Sequence, residues 1–106
     1  MIAYFFLLGA ILFEVTGTMM LPLSKNFTKP LPSIALTISY IVSFYLLTYA
    51  IKDIPIAIAY ASWGGLGIFL ITLLGYIFYG QMLQWQSVLG LAFIALGVAI
   101  VNIYKT

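Results

Sequence analysis

The sequence predicts an all-α membrane protein of four transmembrane helices in up-down-up-down order. Three observations carry this prediction. Of the 106 residues, 65% are hydrophobic and only 6% charged. A soluble domain carries about 25% charged residues, so charge this sparse cannot cover a water-facing surface. Apart from Glu14, the charges fall at Lys25, Lys29, Lys52, Asp53 and Lys105, and four apolar runs lie between them. Each run is long enough for the roughly 30 Å hydrocarbon core, and inside lipid each must be a helix, because unpaired backbone groups find no water there.

The first span is Ile2–Leu21. The second, about Leu31–Ile51, is entered through Pro30 and Pro32, and proline suits a helix start. The third is about Ile54–Tyr79, with Pro55 in its first turn. The fourth is about Trp85–Tyr104. Together they make one domain, residues 1–106. The links are short: 23–29, with Ser24, Asn26 and Thr28 as loop residues; Lys52-Asp53; and a third beginning at Gly80-Gln81. Short links force neighbouring helices antiparallel. Tyr4, Tyr49, Tyr79, Trp85 and Tyr104 fall near span ends, where aromatic belts form. Asn102 and Gln86 are expected at the membrane interface.

Composition excludes several classes. There is no Cys and no His, which removes disulfides, thiol chemistry and the usual zinc or haem ligands. A net charge of +2, spread over separate links, is too weak for nucleic-acid binding. The expectation is a non-enzyme, with no metal and no cofactor, surrounded by the lipid bilayer. Met1-Ile2-Ala3 lacks the basic n-region of a signal peptide, so the first span is read as retained.

Glu14 stands at the middle of the first span. A carboxylate at that depth costs about 3 kcal/mol or more on insertion scales. Either its surroundings keep it as a structural group, or it holds a proton, a cation, or each in turn. Residues three and four apart share a helix face, so Leu7, Ala10, Glu14, Gly17 and Leu21 form one stripe, with Thr18 beside it; Leu7, Ala10, Ile11, Gly17 and Thr18 are expected to line a cavity there, with Ser43, Phe44 and Gly64 from the neighbouring spans. Small residues one turn either side of the carboxylate leave room for a ligand or for a second helix. The second span offers Tyr40, Ser43 and Phe44 on one face; the third offers Tyr60, Trp63, Gly64 and Gly67. Aromatic rings attract organic cations at about 0.5–2 kcal/mol per contact, and tyrosine hydroxyls can hydrogen-bond a carboxylate. Tyr40, Tyr60 and Trp63 are the candidates to meet Glu14; Tyr45 and Tyr76 are read as packing residues.

Gly64-Gly65-Leu66-Gly67 weakens the third helix by about 1 kcal/mol per glycine relative to alanine. A hinge at Gly65 and Gly67 and a close approach by a neighbouring helix are both open readings. On the fourth span, Gly90 and Gly97 lie nearly on one face and read as a dimer seam. Orientation is balanced, with Lys52 and Lys105 on one side and Lys25 and Lys29 on the other. The positive-inside rule therefore gives almost no bias. A chain without bias can insert both ways, and two opposed copies would reproduce the inverted repeat of larger transporters.

These features together resemble the small multidrug resistance family along essentially the whole chain. The matching segments are GAILFEVTGTMML, FTKPLPS, SYIVSFYLL, IPIAIAYASWGGLGI, Gly80-Gln81 and GLAFIALGVAIVN. The resemblance implies a proton-coupled exporter of lipophilic, aromatic or quaternary ammonium cations that works as an antiparallel homodimer in the bacterial inner membrane. It implies that Glu14 of both subunits forms one site for proton or cation, with Tyr40, Tyr60 and Trp63 at the aromatic binding positions. Tyr40 and Ile11 resemble the quaternary-ammonium branch; the guanidinium-exporting branch typically has glycine where Ile11 stands and lacks the tyrosine at 40. The chain departs from the family pattern at Pro22, at Lys25-Asn26, at Gly64 and at Met82. Guanidinium export, half of a heterodimeric polyamine or metabolite exporter, and a non-transporting or rotor subunit with a structural Glu14 are the competing readings. Four spans argue against the rotor subunit.

Overall fold

The computed structural model describes residues 2–104; Lys105, one of the four lysines in the orientation count, lies outside them. The described chain is helical almost throughout: α1 (Ile2–Met19), α2 (Leu21–Ser24), α3 (Pro30–Ala50), α4 (Ile56–Tyr79) and α5 (Trp85–Ile103). Four of these, α1, α3, α4 and α5, are long and apolar enough to cross a membrane. At 1.5 Å per residue their lengths run from about 27 Å for α1 to about 36 Å for α4.

Helix boundaries follow local chemistry, and two differ from the sequence reading. The first span was expected to run to Leu21, but α1 stops at Met19 and a separate single turn, α2, follows. Pro22 is the reason: it has no N–H to offer the Thr18 carbonyl. The Tyr79 hydroxyl donates to the Met19 carbonyl at 2.7 Å, satisfying an oxygen left free at the helix end. The third span was expected to hold Pro55 in its first turn. Instead Pro55 is the N-cap, with ψ 138°, and its carbonyl accepts from the Ala59 N–H at 2.9 Å. The helix begins at Ile56, while Ile54 tucks into the core. At the other end of α4, Gly80 takes φ +64° and the Gln81 N–H donates to the Gly75 carbonyl at 3.2 Å. This is a glycine-terminated cap that any Cβ would strain.

The link from α2 to α3 is unusual. Lys25, Asn26 and Phe27 all have positive φ, at 48°, 60° and 66°, a region that L-residues rarely enter in succession. Ser24 holds the turn: its buried hydroxyl donates to the Leu21 carbonyl at 2.7 Å and accepts from the Phe27 N–H at 3.3 Å. Its own carbonyl accepts from both Thr28 and Lys29 N–H groups at 3.0 Å.

Packing centres on α1, which lies chiefly against α3 and secondarily against α4; α5 joins through α4. The core comprises Ala3, Leu7, Ile11, Val15, Ala50, Ile54 and Ala59. The molecule measures 44 × 35 × 17 Å. Since one helix with side chains is about 10–12 Å across, this is a thin slab rather than a closed bundle. No described residue of α5 is buried. One polar chain ties α5 in: the Tyr4 hydroxyl donates to Asn102 Oδ1 at 2.8 Å, and Asn102 Nδ2 donates to Ser62 Oγ at 2.7 Å and to the Val98 carbonyl at 2.9 Å. Asn102, half-buried near the end of α5, is therefore an inter-helix tie.

Candidate functional site

The site assembles from the middle of α1, residues 60–71 of α4 and one tyrosine of α3. Glu14 is half-buried on α1. Thr18, one turn on, donates from Oγ1 to Glu14 Oε1 at 2.9 Å. The Thr18 hydroxyl also lies 2.8 Å from the Tyr40 hydroxyl of α3. Gly17 allows this approach: a Cβ there would stand 3.1 Å from a carbon of the Tyr40 ring and 3.3 Å from the Leu36 carbonyl. Tyr40 thus meets Glu14 through Thr18 rather than directly.

On its other side Glu14 faces α4. A Cβ on Gly67 would stand 3.3 Å from Glu14 Oε2, so the absent side chain makes room for the carboxylate. Glu14, Tyr60, Trp63, Gly64, Gly67, Ile68 and Ile71 line an open cavity of about 320 Å³. Tyr60 and Trp63 lean together with ring centres 5.8 Å apart at 60°, and Phe44 meets Trp63 edge-on at 5.2 Å and 77°. The Trp63 indole Nε1 is buried and has no hydrogen-bond acceptor among the described residues. A buried donor of this kind costs about 1–3 kcal/mol until something accepts from it.

Of the sequence-predicted site residues, Glu14, Thr18, Tyr40, Tyr60, Trp63, Gly64 and Gly67 come together here, and Phe44 backs Trp63. Others are placed elsewhere. Leu7, Ala10 and Ile11 were expected to line the cavity, but they are buried in the interior seam of α1. Ser43, expected beside them, is fully buried and donates to the Ala10 carbonyl at 2.6 Å. These positions pack α1 against its neighbours because α1 is the central helix, so its small and apolar residues are used for close approach. Gly65, read as a hinge or a point of close approach, faces α5: a Cβ there would collide with Val98 Cγ2. The glycine run does not interrupt α4, which is continuous across it. Gly90 and Gly97 have open space where a Cβ would stand.

Two cavity residues, Ile68 and Ile71, were not singled out from the sequence. The signal was present, since Tyr60, Gly64, Gly67 and Ile71 repeat at helical spacing. Two aliphatic residues in a run of aliphatics do not announce a site, however. The hydrogen-bonding part of Thr18 was hidden for another reason: it depends on how α1 and α3 are rotated against each other.

A multi-pass helical membrane protein with one intramembrane carboxylate against an aromatic-lined cavity is the class that fold and site define. The family model described as Small Multidrug Resistance protein matches residues 2–94, and the chain belongs to that family. It is 45% identical over 100 residues to the multidrug transporter EmrE of Escherichia coli (strain K12), covering 94% of this chain and 91% of that one. It is 41% identical over 100 residues to the quaternary ammonium compound-resistance protein QacF of Klebsiella aerogenes, with the same coverage. The quaternary ammonium compound-resistance protein QacE of Escherichia coli is 39% identical over 100 residues, 94% of this chain and 91% of that one. The four spanning helices and these relatives place the chain in the bacterial inner membrane as a multi-pass protein.

Proposed function

We propose that the protein exports lipophilic or quaternary ammonium cations in exchange for protons, with Glu14 holding proton and cation in turn. The observation that carries this reading is the pairing of chemistries around one cavity. Glu14 supplies the charge, while the Tyr60 and Trp63 rings supply polarisable, negative faces. Ile68 and Ile71 supply apolar wall for the hydrocarbon part of such a cation. An ammonium without N–H groups needs this combination, because it can be held only by charge and by ring faces. Relatives named as a multidrug transporter and as quaternary ammonium resistance proteins support the same substrate class. Tyr40, present here and joined to Glu14 through Thr18, favours this class over guanidinium.

The working unit in this reading is an antiparallel homodimer. The slab is thin, α5 carries no buried residue and the cavity is open at its side, all of which a second copy can complete. Gly90 and Gly97 offer α5 a close-approach face. Two opposed copies bring two Glu14 carboxylates to one site. Both ionised, they repel, so the site is satisfied either by protons or by one cation. Protons arriving from one side release the cation there, and exchange of the two subunits' conformations opens the site to the other side. Gly65 and Gly67 are where α4 bends in that exchange. The inward proton gradient then drives the cation out.

Glu14→Gln tests this directly, because it keeps the size of the side chain and removes both charge and titration. In proteoliposomes with an imposed pH gradient, uphill movement of tetraphenylphosphonium should be lost. Undiminished uphill movement by this variant would overturn the reading.

A further inference from the structure

We propose that Tyr40 and Thr18 form the proton's route to Glu14, and that it ends on a different carboxylate oxygen from the one facing the cation cavity. The inference rests on the reading of Glu14 as a proton-and-cation site, and adds a division of labour within one side chain.

The argument begins with counting hydrogens. A hydroxyl has one hydrogen to donate, and an ionised carboxylate can only accept. Thr18 Oγ1 donates to Glu14 Oε1 at 2.9 Å. Its contact with the Tyr40 hydroxyl at 2.8 Å must then run the other way, with Tyr40 donating. The result is a polarised chain from α3 to α1: Tyr40 O–H to Thr18 O–H to Glu14 Oε1. Oε2 points elsewhere, to within 3.3 Å of where a Gly67 Cβ would be, on the α4 wall shared with Tyr60 and Trp63. One oxygen is thus bonded toward α3, while the other lies against α4, the helix that walls the cavity.

Such a chain can pass a proton with all atoms accounted for. A hydronium ion from water gives a proton to the Tyr40 oxygen. Tyr40 passes its own hydrogen to Thr18 Oγ1, and Thr18 passes its hydrogen to Glu14 Oε1. Three O–H bonds break, three form, and one water is released. Both hydroxyls end neutral. The chain is then polarised in reverse, from Glu14 O–H through Thr18 to Tyr40, so every member is satisfied in both protonation states. The return of the proton runs the same steps backwards. The titratable groups facing Glu14 from packed elements are Tyr40 on α3 and Tyr60 on α4. Among the described residues Lys25, Lys29, Lys52 and Asp53 stand in the links between helices, outside the chain.

Separate oxygens have a consequence. A cation seated in the aromatic cavity faces Oε2 and leaves the route to Oε1 in place. A proton can therefore reach the carboxylate while the cation is still bound, and displace it.

The test uses the full-length protein in proteoliposomes with tetraphenylphosphonium. Two rates are compared: accumulation driven by a pH gradient, and cation-for-cation exchange without one, which moves no proton. Thr18→Val keeps the shape and removes the hydroxyl; Tyr40→Phe keeps the ring and removes the hydroxyl; Thr18→Ser keeps the hydroxyl. Each hydroxyl deletion should slow proton-driven accumulation at least about threefold more than it slows exchange, a barrier difference of at least about 0.65 kcal/mol. Thr18→Ser should restore proton-driven accumulation. Equal loss of both rates in Tyr40→Phe and Thr18→Val would show a structural or cation-binding role and overturn the relay, as would no loss in either. If the unaltered protein exchanges cations but shows no proton drive, the underlying reading fails first. An intact drive with an unchanged ratio in the variants sinks the relay alone.

Discussion

An ionised group inside a bilayer persists only where something compensates it, and each oxygen of Glu14 has its own surroundings. Oε1 takes a hydrogen bond from Thr18 and Oε2 fits beside Gly67. Trp63 contributes ring face and carries a buried, unaccepted indole N–H. Replacing Trp63 with glycine should weaken tetraphenylphosphonium binding by about 0.5–2 kcal/mol, roughly twofold to thirtyfold, the size of a cation–ring contact. Equilibrium binding to the detergent-purified protein measures it, and an unchanged affinity would remove Trp63 from the site. At this scale the sequence was readable where chemistry was out of place. A carboxylate in an apolar run and a Tyr–Trp pair beside glycines stand out against aliphatic neighbours. Leu7, Ala10, Ile11 and Ser43 were expected on the cavity and are buried between helices, since helix periodicity gives a face but not what the face touches. Only the packing of α1 between α3 and α4 assigns those residues to the interior.

At the scale of elements, the glycine run in α4 has two opposite faces. Gly65 is pressed against Val98 of α5, whereas Gly64 opens onto the cavity. Adjacent substitutions should therefore differ in sign. Gly65→Ala should destabilise by about 1–3 kcal/mol through overpacking. Gly64→Ala should be neutral or stabilising by up to about 1 kcal/mol through helix propensity. Unfolding in detergent, followed by circular dichroism, compares them; equal effects would contradict the placement of α5. All four spans were legible because lipid leaves an apolar run of this length one backbone solution. Their ends were less so. Pro22 and Pro55 both moved a boundary inward, since proline acts on the residues before it as well as on its own hydrogen bond. The three left-handed residues after Ser24 had no sequence signal beyond Asn26, the one type among them that tolerates that geometry.

For the whole molecule, a slab 17 Å thick with no buried residue on α5 leaves the cavity open, and in the proposed dimer a second copy completes it. In the proposed arrangement that copy is inverted, which the even division of lysines permits. Substituting lysine at Leu23 and Thr28, both in the first link, should shift the population to one orientation. Accessibility of single cysteines introduced at either face reads the shift. Export by the biased protein alone should fall, and recover when an oppositely biased copy is co-expressed. Full export by a population proved to face one way would refute the antiparallel dimer.

The central claim is that proton and cation compete for Glu14. It is tested most directly by equilibrium binding of tetraphenylphosphonium to the purified protein across a pH series. Protons favour the uncharged carboxyl, so the apparent affinity should weaken steadily as pH falls, and Glu14→Gln should bind poorly at every pH. An affinity that stays constant across the series, or that survives in Glu14→Gln, would contradict the account.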